Sequence, residues 1–136
     1  MFRQQQELAP LAETIRRNKY GTSIFVAYAV LIAFVSLQPD AGSSMESYDK
    51  GAHLLAYGIF AALAHRMNLS GRHFVLVCIG IVAYSAMLEV AQSFVPGREM
   101  SALDLFANAL GVAFGAAFGL LLRTRYFAKK KFREKV

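Results

Sequence analysis

The chain is short of charge. Acidic and basic residues together make up 18% of its 136 positions, against about 25% in an ordinary soluble domain. Hydrophobic residues reach 56% and mean hydropathy is +0.38, so lipid rather than water is the expected solvent. Cysteine occurs once, as Cys78 inside an apolar run, which excludes an intrachain disulfide and any cysteine metal cluster. No HExxH pattern is present, and no internal repeat. The opening MFRQQQELAPLAETIRRNKY is polar and lacks an apolar core before a small-residue cleavage site, so no cleavable signal peptide is expected. The length suits a single domain.

What the chain has in plenty is long apolar runs. A membrane-crossing helix needs about 20 mostly apolar residues, and four segments meet that length. They are Tyr20 to Pro39, about Ser47 to Leu69, His73 to Val95, and Ser101 to Leu122. Short links follow the second and third, with Ser70-Gly71 and Pro96-Gly97 as turn signals. A soluble helical bundle would show charged outer faces at a period of about 3.6 residues, and the first segment and the second half of the fourth show none. The expected fold is therefore all-α, an integral membrane four-helix bundle of antiparallel up-down hairpins. A polar segment, residues 1–19, precedes it, the helical domain spans 20–122, and a basic tail occupies 123–136.

The net charge of +6 could suit nucleic acid, but the basic residues lie between and beyond the apolar runs, as membrane topology requires. No nucleic-acid partner is expected. Of the fifteen Lys and Arg residues, thirteen fall in the N-terminal segment, the second loop and the tail. Only Lys50 and Arg98 fall on the other side. Positively charged loops stay cytoplasmic, so both termini are expected in the cytoplasm. The basic tail, directly after a spanning helix, suits anionic lipid.

This topology gathers the polar residues at one end. Asp49, Lys50 and His53 enter the second helix from outside, Glu89 and Gln92 leave the third, Arg98 sits in the outer loop, and Asp104 and Asn108 enter the fourth. Asp49, His53 and Tyr57 share one helical stripe. Ser85, Glu89 and Gln92 share another, and Ser101, Asp104 and Asn108 a third. Glu89 lies about 9 Å below the lip at 1.5 Å rise per residue. A lone carboxylate there costs on the order of 2.5 to 3.5 kcal/mol, so Glu89 needs a cation beside it or a proton. Ionisable groups inside a membrane point to function; the competing reading is a network that only locks the helix ends. His65, beside Arg66, is expected at the membrane interface. Gly111, Gly115 and Gly119 form a small-residue stripe for close helix approach, within the bundle or in a homo-oligomer.

Three pieces in order, DKGAHLLAY (49–57), EVAQ (89–92) and PGREMSALDLFANALG (96–111), resemble the VanZ-like family of bacterial membrane proteins. The resemblance covers roughly residues 20–122 and leaves out the polar N-terminus and the tail. It implies a multi-pass protein of the bacterial cytoplasmic (inner) membrane with a link to the cell envelope. The family takes its name from a protein connected with resistance to the glycopeptide teicoplanin. It implies no reaction.

Two classes of function stay open. In the first, an outward-facing site binds or modifies an anionic lipid-linked or cell-wall precursor. Lys50 and Arg98 hold the head group, with Gln92, Asp104 and Asn108 completing the binding surface. His53 or Glu89 acts as general acid or base, and Asp49 orients His53. A metal-assisted version would draw on His53, Asp49, Glu89 and Asp104, but Lys50 and Arg98 would repel a cation, so no metal and no cofactor is expected. In the second, the chain is a non-enzymatic small carrier or accessory subunit of another membrane protein.

Overall fold

The computed structural model describes residues 2–39 and 46–133, with side chains described for 19–39, 50–122 and 124. Four helices account for most of it: α1 (Phe2–Ser36), α2 (Glu46–Ala64), α3 (Gly71–Gln92) and α4 (Ala102–Arg133). A 3-10 turn, His65–Met67, follows α2. No strand occurs among the described residues.

The two outer helices run past the limits that hydropathy suggests. α1 has 35 residues and α4 has 32, or about 52 and 48 Å at 1.5 Å per residue. Both exceed a hydrocarbon core of about 30 Å, so their polar ends project beyond it. Past Leu122 the apolar pattern stops, but the Arg and Lys residues that follow are good helix formers and no Gly or Pro interrupts them.

Three helices are long and apolar enough to cross a membrane, over Lys19–Ser36, Gly71–Gln92 and Ala102–Leu122. The second expected span is not among them. α2 holds 19 residues, and its first two turns carry Glu46, Asp49, Lys50 and His53, which dilute its apolar character. The turn after it also differs from expectation. Asn68, at φ 52°, makes the left-handed break, and Gly71 already belongs to α3. Asn tolerates this conformation better than most residues. Gly97, at φ 78°, makes the break after α3 where Pro96-Gly97 signalled it.

Packing centres on α2, whose most extensive contact is with α4. The core comprises Ile32, Tyr57, Phe60, Ala61, Ile81, Leu88 and Val112. Phe60 stands at its middle, with ring centroids 4.6 Å from Phe25, 5.6 Å from Tyr28 and 6.2 Å from Tyr84. Glycines set the spacing of α2 and α4. A Cβ on Gly111 would lie 3.0 Å from the Leu54 carbonyl carbon, and one on Gly115 would lie 2.8 Å from that of Gly58. Gly111 and Gly115 are thus buried against α2, and Gly119 against His65 of the 3-10 turn. Phe34, Leu55, Ile79, Phe106 and Phe118 are exposed, as lipid-facing residues would be.

Side chains also stitch α1 to the rest. Tyr28 donates to the Ala56 carbonyl at 3.1 Å and Tyr84 to the Ala29 carbonyl at 2.8 Å. These tyrosines are inter-helix ties. His65 likewise packs within the fold. It is half-buried, stacks on Phe74 at 4.0 Å, and places Nε2 3.1 Å from the Ala116 carbonyl.

Candidate functional site

The site forms where α2 and α4 begin and α3 ends. α4 starts with Ser101, whose Oγ accepts the Asp104 amide at 3.2 Å. This is an N-cap, and it fixes the first turn of α4. The Ser101 amide in turn donates to Oε2 of Glu89 at 3.2 Å. One cap therefore ties α3 to α4 and holds both Glu89 and Asp104 in place. Glu89 is only 3% exposed.

One turn deeper, Asn108 is fully buried between two partners. Its Nδ2 donates to Ser85 Oγ at 3.2 Å, and its Oδ1 lies 3.1 Å from His53 Nδ1. With the amide oriented in this way, Oδ1 can only accept, so His53 Nδ1 donates to it. Tyr57, also buried, lies below within hydrogen-bonding reach of Ser85. The close approach permitted by Gly111 and Gly115 is what lets α2 present His53 to Asn108 across so short a gap.

The result is a compact polar cluster. A ring nitrogen of His53 and one carboxylate oxygen each from Glu89 and Asp104 lie within 4.8 Å of one another. Two ionised carboxylates at that separation would repel by about 3.5 kcal/mol at an effective dielectric constant of about 20, so the pair favours a positive charge or a shared proton between them. Lys50 lies one turn before His53 on α2.

Gln92 and Arg98 are placed differently. Gln92 Nε2 donates to the Ser36 carbonyl at 3.0 Å, and Arg98 Nε donates to the Gln38 carbonyl at 3.2 Å. Both satisfy carbonyls at the C-terminal end of α1, which lack partners within the helix. A cation there also complements the helix dipole. These two residues share a cavity of about 210 Å³ with His53 and Tyr57. Its other walls are apolar side chains of α1 and α2, including Leu31, Ile32, Val35, Ala52 and Ala56.

A family model described as VanZ/LLP1 matches residues 2–123. The chain belongs to the VanZ-like family. Three helices of membrane-crossing length and apolarity make it a membrane protein of that family. The match includes the polar N-terminal segment, which the motif resemblance had left outside. No curated protein and no solved structure matches the chain.

Of the VanZ-like chain's expected site residues, the fold brings His53, Glu89, Asp104 and Asn108 together. Gln92, at the end of α3, and Arg98, in the loop after it, share a cavity with His53 beside the end of α1. The side chain of Asp49 lies outside the described residues. Ser85 and the Ser36 and Gln38 carbonyls join the site without having been singled out for it. Ser85 was legible, being four residues before Glu89 on one stripe. The two carbonyls left no signal, because a backbone acceptor exists at every position.

Proposed function

We propose that this VanZ-like protein lies in the bacterial cytoplasmic membrane as antiparallel helical hairpins, both termini in the cytoplasm, with the His53 end facing outward. The charge asymmetry of the loops supports that orientation. Contacts of Gly21 with Arg66, Tyr28 with Ala56, and Ser85 with Asn108 suit consecutive helices running in opposite directions. α2 with its 3-10 turn covers residues 46–67, about 33 Å at helical rise, a length that suits a fourth crossing.

In this orientation the site binds an anionic group carried on a lipid chain, as in a lipid-linked cell-wall precursor. The observation that carries this reading is the cavity, which joins an apolar wall from α1 and α2 to His53, Gln92 and Arg98. At about 210 Å³ it is smaller than the roughly 300–1,000 Å³ that encloses a drug-sized ligand, so it takes part of a chain and leaves the rest in lipid. Arg98 and Lys50 supply positive charge for a phosphate or carboxylate. His53 or Glu89 would act as general acid or base, with Asp49 one turn before His53 to orient it. Resistance to a teicoplanin-type glycopeptide is the phenotype that such a site would support.

Native mass spectrometry of the detergent-solubilised protein with a polyprenyl monophosphate tests the reading. A one-to-one adduct is expected, weakened at least tenfold by Arg98→Ala. An equal adduct in wild type and in Arg98→Ala would sink it. A second reading has its own support: Gln92, Arg98 and Glu89 each tie one helix end to another segment, as an accessory subunit with a locked outer end would require. Alanine variants that insert normally and leave glycopeptide susceptibility unchanged would favour it.

A further inference from the structure

We infer that His53, Glu89 and Asp104 form a binding site for one first-row divalent cation, of the Zn²⁺ or Mn²⁺ class. The inference concerns the same end of the molecule as the lipid reading but stands without it. It also reverses the expectation, drawn from motif spacing, that no metal is bound.

Four observations carry it. First, the three donor atoms come from three different helices and converge within 4.8 Å. In a tetrahedral zinc site, metal–ligand distances near 2.0–2.1 Å place donors about 3.3 Å apart, so a modest inward rotation of the side chains closes the set. Second, Glu89 is 97% buried, being only 3% exposed, and a buried carboxylate beside a second one suits a cation. Third, His53 has the hydrogen bond that metal-ligating histidines show. Its Nδ1 lies 3.1 Å from a side-chain carbonyl, Asn108 Oδ1, and that amide is itself held by Ser85. Such support orients the ring. Fourth, the Glu89 carboxylate accepts the Ser101 amide, and the Ser101 cap fixes the backbone from which Asp104 projects.

One nitrogen and two oxygens suit zinc, manganese or iron better than calcium or magnesium, which favour all-oxygen sets. Three protein ligands leave a coordination position open, as in catalytic rather than structural sites. His53 also lines the apolar cavity, so an anionic oxygen entering from the cavity has a path to that position. Of the two cations set against a metal, Lys50 and Arg98, Arg98 gives its Nε to the Gln38 carbonyl at the end of α1.

The test uses the full chain, purified in detergent with a histidine-free tag, stripped with chelator and reloaded with Zn²⁺, Mn²⁺ or Co²⁺. Elemental analysis after desalting should find about one metal per chain. Co²⁺-loaded protein should show visible absorption that changes in His53→Ala. Asp104→Asn and Glu89→Gln should each reduce retention at least tenfold, and Asn108→Ala should weaken affinity about 10- to 100-fold through loss of the support behind His53. Asp104→Asn keeps the backbone cap, and its circular dichroism and elution volume should match wild type. Metal retained equally by wild type and Asp104→Asn, or by neither, overturns the inference. The polyprenyl phosphate adduct is measured on the same samples. Metal without adduct rejects the lipid reading alone, and adduct without metal rejects the cation site alone.

Discussion

Replacing Gly115 by alanine should push α2 and α4 apart and loosen the site they build. The added Cβ would lie 2.8 Å from the Gly58 carbonyl carbon and 2.9 Å from its Cα, where carbon atoms pack comfortably at about 3.5–4.0 Å. The Gly58 carbonyl oxygen lies nearer still, and all three obstructing atoms are backbone, so no side chain can turn aside. The helices must separate locally by about 0.7 Å or more, judged from that contact distance. Overpacking of this kind costs about 1–3 kcal/mol. The better helix propensity of alanine returns up to about 1 kcal/mol, leaving a net loss of about 1–2 kcal/mol. Gly80→Ala is the matched control. It lies in α3, is exposed, and its Cβ would meet nothing within 4 Å, so it should be neutral or stabilising by up to about 1 kcal/mol. Thermal unfolding in detergent, followed by circular dichroism, should place Gly115→Ala below wild type and Gly80→Ala at or above it. If the two variants unfold together, the interlocked α2–α4 contact is wrong, and with it the geometry that brings His53 to Asn108.

Other outcomes follow from the same structure. Asn108→Ala removes two interhelical hydrogen bonds, each worth about 0.6 kcal/mol on average in a membrane; a loss of about 1 kcal/mol is expected in a thermal or denaturant melt. Gln92→Ala frees the Ser36 carbonyl and should speed amide hydrogen exchange at the end of α1 severalfold, with little change in α4. In a Cys78→Ser background, Glu99→Cys should react with an impermeant maleimide on intact cells. Arg72→Cys should react only after permeabilisation, and the reverse pattern would overturn the proposed orientation.

Much of the site is legible before any fold is known. His53, Glu89, Asp104 and Asn108 stand near the ends of apolar runs, and charge counting sends all four to one end. The reasoning is that lipid penalises stray polar groups, so the exceptions are expected to cluster. The spans were less legible where polarity and function coincide. α2 reads as a crossing segment by length, yet its site-bearing first turns take it out of the set of helices apolar enough to qualify alone. Helix limits were missed at both outer ends, because hydropathy marks where lipid stops and not where a helix does. Gln92 and Arg98 line a cavity with His53, but their hydrogen bonds to the carbonyls of Ser36 and Gln38 could not be read from spacing.

The sequence by itself determined the solvent, the family and the end of the molecule at which polar groups gather, because composition, motif order and charge asymmetry are properties of the chain read in one dimension. Only the tertiary structure decided which polar groups meet. The glycine stripe of α4 announces a close approach without naming the partner, and it is the backbone of α2 that fills it. That choice sets His53 against Asn108 and brings its ring within reach of Glu89 and Asp104. Three residues separated by 36 and 15 positions along the chain become one cluster because two helices lack side chains where they touch.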